Sequence, residues 1–145
     1  MKTLRAFLEE KNFIRVPLQK VNSNHFKIKA KINGVSGDFI LDTGASNSCL
    51  GLHIVEKFKL LAHASEVKAS GAGATGMDTF TSVATKVSIG AWTAKNMEFV
   101  VFDMTHVNEA LTTAGIASVD GIIGAEMLKK ARAVIDYGRN CVYLK

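Results

Sequence analysis

The chain has 145 residues, 48% hydrophobic and 21% charged, the size and mix of one globular domain with its own core. Its formal net charge of +5 comes from scattered lysines, and Arg5, Arg15, Arg132 and Arg139 are widely spaced, a pattern that argues against nucleic-acid binding. No apolar run approaches the roughly 18 residues of a membrane helix, and Glu9 and Glu10 interrupt the first apolar stretch before it could serve as a secretory core; a soluble, cytoplasmic protein with no membrane partner is expected.

In chain order, Leu4, Phe7 and Leu8 recur at helical spacing, so residues 3–11 read as a short amphipathic helix docked on the body, part of an extension over residues 1–12. Strand patterning begins at Phe13 and runs to Leu18, then from His25 to Ile32, through a turn at Asn33-Gly34, and back from Val35 to Leu41. Lys27, Lys29 and Lys31 alternate with Phe26, Ile28, Ala30 and Ile32, which sets the lysines on a solvated sheet face. Residues 51–61 fit either a helix of one to three turns or an irregular connection. Residues 70–76, Ser-Gly-Ala-Gly-Ala-Thr-Gly, make a hairpin tip without a large side chain. Strands are predicted at Thr85–Ile89 and Met97–Phe102, with a turn region over 90–96 between them and a polar connection over 103–119 after them. Asp120-Gly121-Ile122-Ile123-Gly124 leads into a helix over 125–131. Strands at 133–136 and 141–144 close the chain around a turn at 137–140. The sum is a mostly β single domain, residues 1–145, with one or two short helices. Cys49 and Cys141 have no CxxC spacing and sit in strand-like surroundings, so free thiols are expected.

The chemistry-bearing stretch is Phe39-Ile40-Leu41-Asp42-Thr43-Gly44-Ala45-Ser46. Asp before Thr-Gly can be a simple turn, because an Asx side chain bonds to the amide two residues on. By average residue usage, however, Asp-Thr-Gly followed by Ala or Ser arises by chance in about half a percent of chains this long. The preceding apolar run also brings the carboxylate out of a dry strand end, the environment in which acids become chemically useful. Other chemistries lack their patterns. His25, His53, His63 and His106 form no HExxH pair, so neither a metal nor another cofactor is expected. Ser46 and Ser48 lack a GxSxG elbow, and the glycine-rich tip is not followed by the Gly-Lys-Ser/Thr of a phosphate loop.

Asp42-Thr43-Gly44-Ala45-Ser46, the glycine-rich hairpin, and Ile122-Ile123-Gly124 with its following helix resemble, in that order, the retropepsin-like aspartic proteases. The resemblance spans roughly residues 13–145. It implies a single-lobe acid-protease barrel, homodimeric, with Asp42 catalytic and Thr43, Gly44 and Ala45 supporting the active-site loop. Ser46 and Asn47, with the flap residues Ser70, Gly71, Ala72 and Gly73, are the expected contacts to an extended peptide or protein substrate. Ile122, Ile123 and Gly124 are expected to lie beneath the catalytic loop, with Gly124 allowing close backbone approach. Carboxylate-catalysed peptide hydrolysis needs two acids sharing one proton, and this chain carries a single Asp-Thr-Gly. The second carboxylate must therefore come from another copy. Cys141–Leu144 is the natural candidate for the strand that joins the copies, since the termini often build the dimer sheet in that family. Ala45 offers no hydroxyl where some pepsin-like lobes have serine, and one fewer hydrogen bond to the ionised form predicts a mildly acidic optimum. Two departures stand out: where retroviral members commonly carry an arginine after the second motif and an acid after the first, this chain has Ala125 and Ser46, so that ion pair is absent as a unit. The rival reading is a peptide-binding or dimerisation module of the same fold that does not cut.

Overall fold

The computed structural model describes residues 1–71 and 74–145, with the side chains of 65–71 and 74–77 outside the description. Eleven described strands and three helices alternate along the chain: α1 (Leu4–Glu10), β1 (Ile14–Pro17), β2 (Gln19–Lys20), β3 (Phe26–Ile32), β4 (Val35–Leu41), β5 (Cys49–Gly51), β6 (His63–Gly71), β7 (Ala74–Ile89), β8 (Trp92–Phe102), α2 (Thr105–Thr113), β9 (Gly121–Ile123), α3 (Ala125–Lys130), β10 (Val134–Asp136) and β11 (Cys141–Leu144). The larger sheet runs β2-β3-β4-β9-β5-β8-β7-β6, and a further pairing of Lys31 and Ile32 with Ser88 and Val87 joins β3 to β7, closing the sheet into a barrel. Closure removes most free edges and surrounds one apolar interior.

The hairpin of β3 and β4 follows directly from sequence chemistry. Asn33 and Gly34 both take positive φ, 51° and 83°, as the tight mirror-image turn requires. In β3 the pattern is strictly alternating, with Phe26, Ile28, Ala30 and Ile32 buried and the lysines outside. Toward its end β4 loses that alternation, because Phe39, Ile40 and Leu41 are all buried. Phe39 and Leu41 face the main core, whereas Ile40 packs with Phe102, Met104, Leu111, Ile116 and Val119 in a second cluster under α2.

That helix is the main departure from the expected architecture, since 103–119 reads as a polar connection and α2 occupies 105–113. Its one buried residue is Leu111, too little for a visible apolar stripe. It ends where Gly115, at φ 78°, lets Gly115 N–H reach Thr112 O and Ile116 N–H reach Leu111 O, a glycine-terminated cap with Leu111 and Ile116 in one cluster. The turn expected over 90–96 is also shorter. Only Gly90 (φ 58°) and Ala91 separate Ile89 from Trp92, and β7 and β8 extend well beyond the predicted strands. The alternation had been masked at Lys95 and Asn96, both exposed, with Asn96 at φ 54°. Residues 51–61 hold two short 3-10 turns, Leu52–Ile54 and Glu56–Phe58, closed by Lys59 at φ 58°.

A separate three-stranded sheet, β1-β11-β10, lies beside the barrel with β11 in the middle. All four β11 residues are buried. Val142 and Leu144 join the main core, while Cys141 and Tyr143 meet Leu8 of α1 on the other face. Thr3 caps α1, its hydroxyl accepting from Ala6 N–H at 3.0 Å, and Asn12 at φ 69° stops it. Leu4 and Phe7 remain 44% and 47% exposed, and Leu8 is the buried residue of the helix. β11, the strand expected to join the copies, pairs within this chain with β1 on one edge and β10 on the other.

Candidate functional site

Two chain crossings build the site. β9 lies parallel to β4, with Phe39 opposite Gly121, Ile40 opposite Ile122 and Leu41 opposite Ile123, so the residues that follow each strand emerge at the same end of the barrel. After β4 comes Asp42; after β9 comes Gly124 and the start of α3. Gly121 is the close-approach point of this crossing, since a Cβ there would lie 2.1 Å from Cys49 O.

Asp42 is half-buried and held at three points. Its N–H donates to Ile123 O (3.0 Å), its carbonyl accepts from Ala45 N–H (3.2 Å), and its Oδ1 accepts from Gly44 N–H (2.9 Å). The last bond is the side-chain turn that an Asp two residues before a glycine favours, and it fixes the carboxylate while leaving Oδ2 available among the described residues. Thr43, Gly44, Ser46 and Asn47 are exposed, and Ala45 is half-buried.

The second segment locks onto the first through backbone bonds. Ala125 N–H donates to Ala45 O at 2.7 Å, and Gly124 N–H donates to the hydroxyl of Ser48 at 2.9 Å. A Cβ on Gly124 would stand 2.7 Å from both the carbonyl carbon and oxygen of Asn47 and 2.8 Å from Ala45 O. Ile123 is fully buried in the main core, while Ile122 faces the second cluster on the opposite side of the sheet. Of the expected substrate contacts on the hairpin, Ala72 and Gly73 lie outside the described residues, and Ser70 and Gly71 are described by backbone alone at the end of β6.

Three residues were not assigned to this site from the sequence. Ser48 is fully buried and bridges the two loops. Glu126 has both carboxylate oxygens buried without a hydrogen-bond partner among the described residues, and nothing in its sequence position marks it. Cys49, whose thiol donates to Asn47 O at 3.3 Å, is pushed up to about 12 by burial first, then by the nearby Glu126 and Asp42 carboxylates. It is a packing group there, not a nucleophile.

Asp120 and Asp136, the other acids near strand ends, are engaged elsewhere. Asp120 Oδ2 accepts from Asp38 N–H (2.9 Å), and Lys57 Nζ lies 3.1 Å from both its oxygens. Asp136 accepts from Arg139 N–H at 3.2 Å. Neither belongs to the Asp42 loop.

Two hollows flank that loop. One of ≈ 100 Å³ has Asp42, Leu41, Phe26 and Tyr137 in its wall; the other, of ≈ 470 Å³, includes Ala125, Leu128 and Ala133. Thr43 and Ile135 line both. A larger hollow of ≈ 700 Å³ lies away from this loop, between Gly51–Ile54 and α2.

The sequence family described as aspartyl protease matches residues 28–127 of this chain. No curated protein matches it. Among solved structures, a retropepsin-like aspartic protease from Rickettsia conorii is similar at TM-score 0.60 and 20% identity, covering 91% of each chain. The protease of EIAV, complexed with the inhibitor HBY-793, is similar at TM-score 0.58 and 19% identity over 76% of this chain and 90% of that one. The retroviral protease-like domain of Ddi1 from Leishmania major is similar at 0.56 and 18%, over 90% and 89%. At these identities the likeness concerns the fold: a mostly β, single-lobed retropepsin barrel.

Proposed function

Because the chain belongs to the aspartyl protease family, matched from β3 into α3, we propose that it is an aspartic endopeptidase whose active form is a homodimer pairing two Asp42 carboxylates. The observation that carries this reading is the hold on Asp42: Gly44 N–H on Oδ1 and the backbone bond to Ile123 fix one carboxylate at the barrel end, its other oxygen uncommitted among the described residues.

One such carboxylate per chain cannot both activate water and protonate a leaving amine. Two brought face to face share a single proton, because like charges a few ångströms apart cannot both ionise. The ionised member takes a proton from water as that water attacks the scissile carbonyl. The protonated member donates to the carbonyl oxygen; as the C–N bond then breaks, the member that took the water's proton passes it to the leaving amine and its partner recovers a proton from the gem-diol hydroxyl. Gly44 N–H steadies the charge throughout. Ser46 and Asn47, exposed beside Asp42, are the proposed contacts for an extended peptide backbone, closed from above by the 70–73 hairpin.

Asp42→Asn tests the reading. It should lower kcat/KM for an unstructured protein substrate at about pH 5 by about 10³-fold or more, with the dimer retained in sedimentation. Cleavage at the wild-type rate would remove Asp42 from the mechanism. Binding of extended peptides by both proteins, with cleavage by neither, would favour the non-cutting module.

A further inference from the structure

We propose that Lys31, Lys86 and Lys95, which share one outer face of the barrel, form a docking surface for an acidic segment of a polypeptide substrate. This deepens the proteolytic reading above, on which it rests, by naming the class of substrate that the chain holds by charge away from the Asp42 loop.

Register places the three lysines together. Lys31 of β3 lies between Ser36 of β4 and Ser88 of β7, and Ser88 lies opposite Thr93 of β8, so one row crosses four strands. Two residues along, Lys86 stands directly opposite Lys95. Ile32, Val87 and Ala94 are buried next to them, which turns the lysines outward, and all three are exposed. Like charges directly opposed on neighbouring strands are destabilising. None of the three pairs with a carboxylate among the described residues. Along the same strands Asp38 is bound to Lys29 at 2.6 Å, and Glu98 stands farther off, opposite Val83. Nor do these lysines guard a free edge, the usual structural use of such charge. Lys31 has a strand on each side, and Lys86 meets β8 on one side and, through its N–H and carbonyl, Asn33 on the other. A repelling group that serves neither packing nor edge protection is accounted for by an anion that relieves it.

The chemistry of the face selects the occupant. Three ammonium groups interleaved with the hydroxyls of Ser36, Ser88 and Thr93 complement successive Asp or Glu carboxylates. Nucleic acid calls for arginine forks and stacking aromatics, and these rows hold neither. A lipid surface calls for apolar side chains inserted beside the lysines, and the exposed apolar residue of β7, Val83, lies toward Glu98 instead. For a chain that cuts polypeptides, a carboxylate-rich stretch of the same polypeptide fits the charge and brings the rest of the substrate near. From Ser36 to Asp42 the rise along β4 is roughly 20 Å. An extended substrate therefore needs at least about six residues between its acidic stretch and the bond to be cut. Such tethering raises the local concentration of the scissile segment, so the gain falls on KM and not on the chemical step.

Two measurements on the full chain test this. The first is binding of a labelled oligoglutamate of about ten residues, read by fluorescence anisotropy at low salt. The wild type should bind it, less tightly as salt rises, and the triple variant Lys31→Glu, Lys86→Glu, Lys95→Glu should bind it about tenfold or more weakly. The same charge change elsewhere, Lys11→Glu, Lys20→Glu, Lys130→Glu, should stay within about twofold of wild type. Lys86→Glu alone should raise the melting temperature, because it faces Lys95 with an opposite charge, and this separates lost docking from lost folding. The second is cleavage of an unstructured stretch joined through about eight residues to oligoglutamate or to oligoglutamine. The acidic substrate should show a KM about tenfold lower at equal kcat, an advantage that vanishes in the first triple variant while the neutral substrate is still cut. Equal losses in the two triple variants, or a lower melting temperature for Lys86→Glu, overturn the docking surface. Tighter wild-type binding of length-matched oligouridylate or of phosphatidylserine vesicles overturns it as well. In each case, neutral-substrate cleavage that still depends on Asp42 leaves the proteolytic reading standing. Lysine-dependent capture of oligoglutamate by a chain that cleaves nothing would instead keep the surface and sink the protease.

Discussion

Gly124 shows how little room the site leaves a single residue. Any side chain there must displace the backbone of Asn47 and Ala45, which has no flexible end to yield. Gly124→Ala should therefore destabilise the fold by roughly 2–4 kcal/mol in urea unfolding and cost activity together with it. Cys49 offers a pH-dependent counterpart. Its thiol is held up to about 12 in the folded chain against an ordinary 9.0, so the unfolded chain ionises first as pH rises. Stability should be insensitive to this group below about pH 9 and fall between about 9 and 12, and Cys49→Ala should flatten that limb of the curve. A thiol reagent at pH 8 should leave native Cys49 unmodified and label it on unfolding. At this scale the sequence was readable where an amino acid has one dominant use. Asn33-Gly34 announced a turn, and Asp-Thr-Gly announced a fixed acid. It was silent on Ser48 and Glu126, whose significance arises from burial against residues some 76 positions away for Ser48 and Gly124.

Among elements, the helix α2 is the instructive case. Its Thr- and Val-containing segment has weak intrinsic preference and one buried residue, so tertiary context decides it: Leu111 and Ile116 roof the cluster around Ile40 and Phe102. Its start depends on Asp103, whose Oδ1 accepts from the Thr105 N–H at 2.9 Å and from the Thr105 hydroxyl. Those two bonds hold the Asp103 carboxyl below its ordinary 3.8, with smaller help from His53 and His106. A lowered folded value means the contribution is present above the ordinary value and disappears as pH falls through the lower one. Asp103→Ala should accordingly reduce the melting temperature at pH 7, and the difference from wild type should shrink toward pH 3. A constant difference across that range would detach the cap from the carboxylate charge. By contrast β3, β4, α3 and β11 were legible from period and turn chemistry, because each has a clean buried face or a strong stop signal.

For the molecule as a whole, the barrel class could be read from short strands and a paired set of motifs, but its closure could not. The β3–β7 contact, the parallel β4–β9 pairing and the central place of β11 are long-range facts with no local signature.

The β4–β9 pairing also bears on how such a chain is made. Its two halves are separated by about 82 positions, and Asp42 acquires its anchor only when Ile123 arrives. Ribosomal synthesis delivers the acid early and its clamp late, so a half-emerged polypeptide carries Asp42 without the backbone bond to Ile123. Assembly of the Asp42 loop is thereby postponed until nearly all of the barrel has been translated.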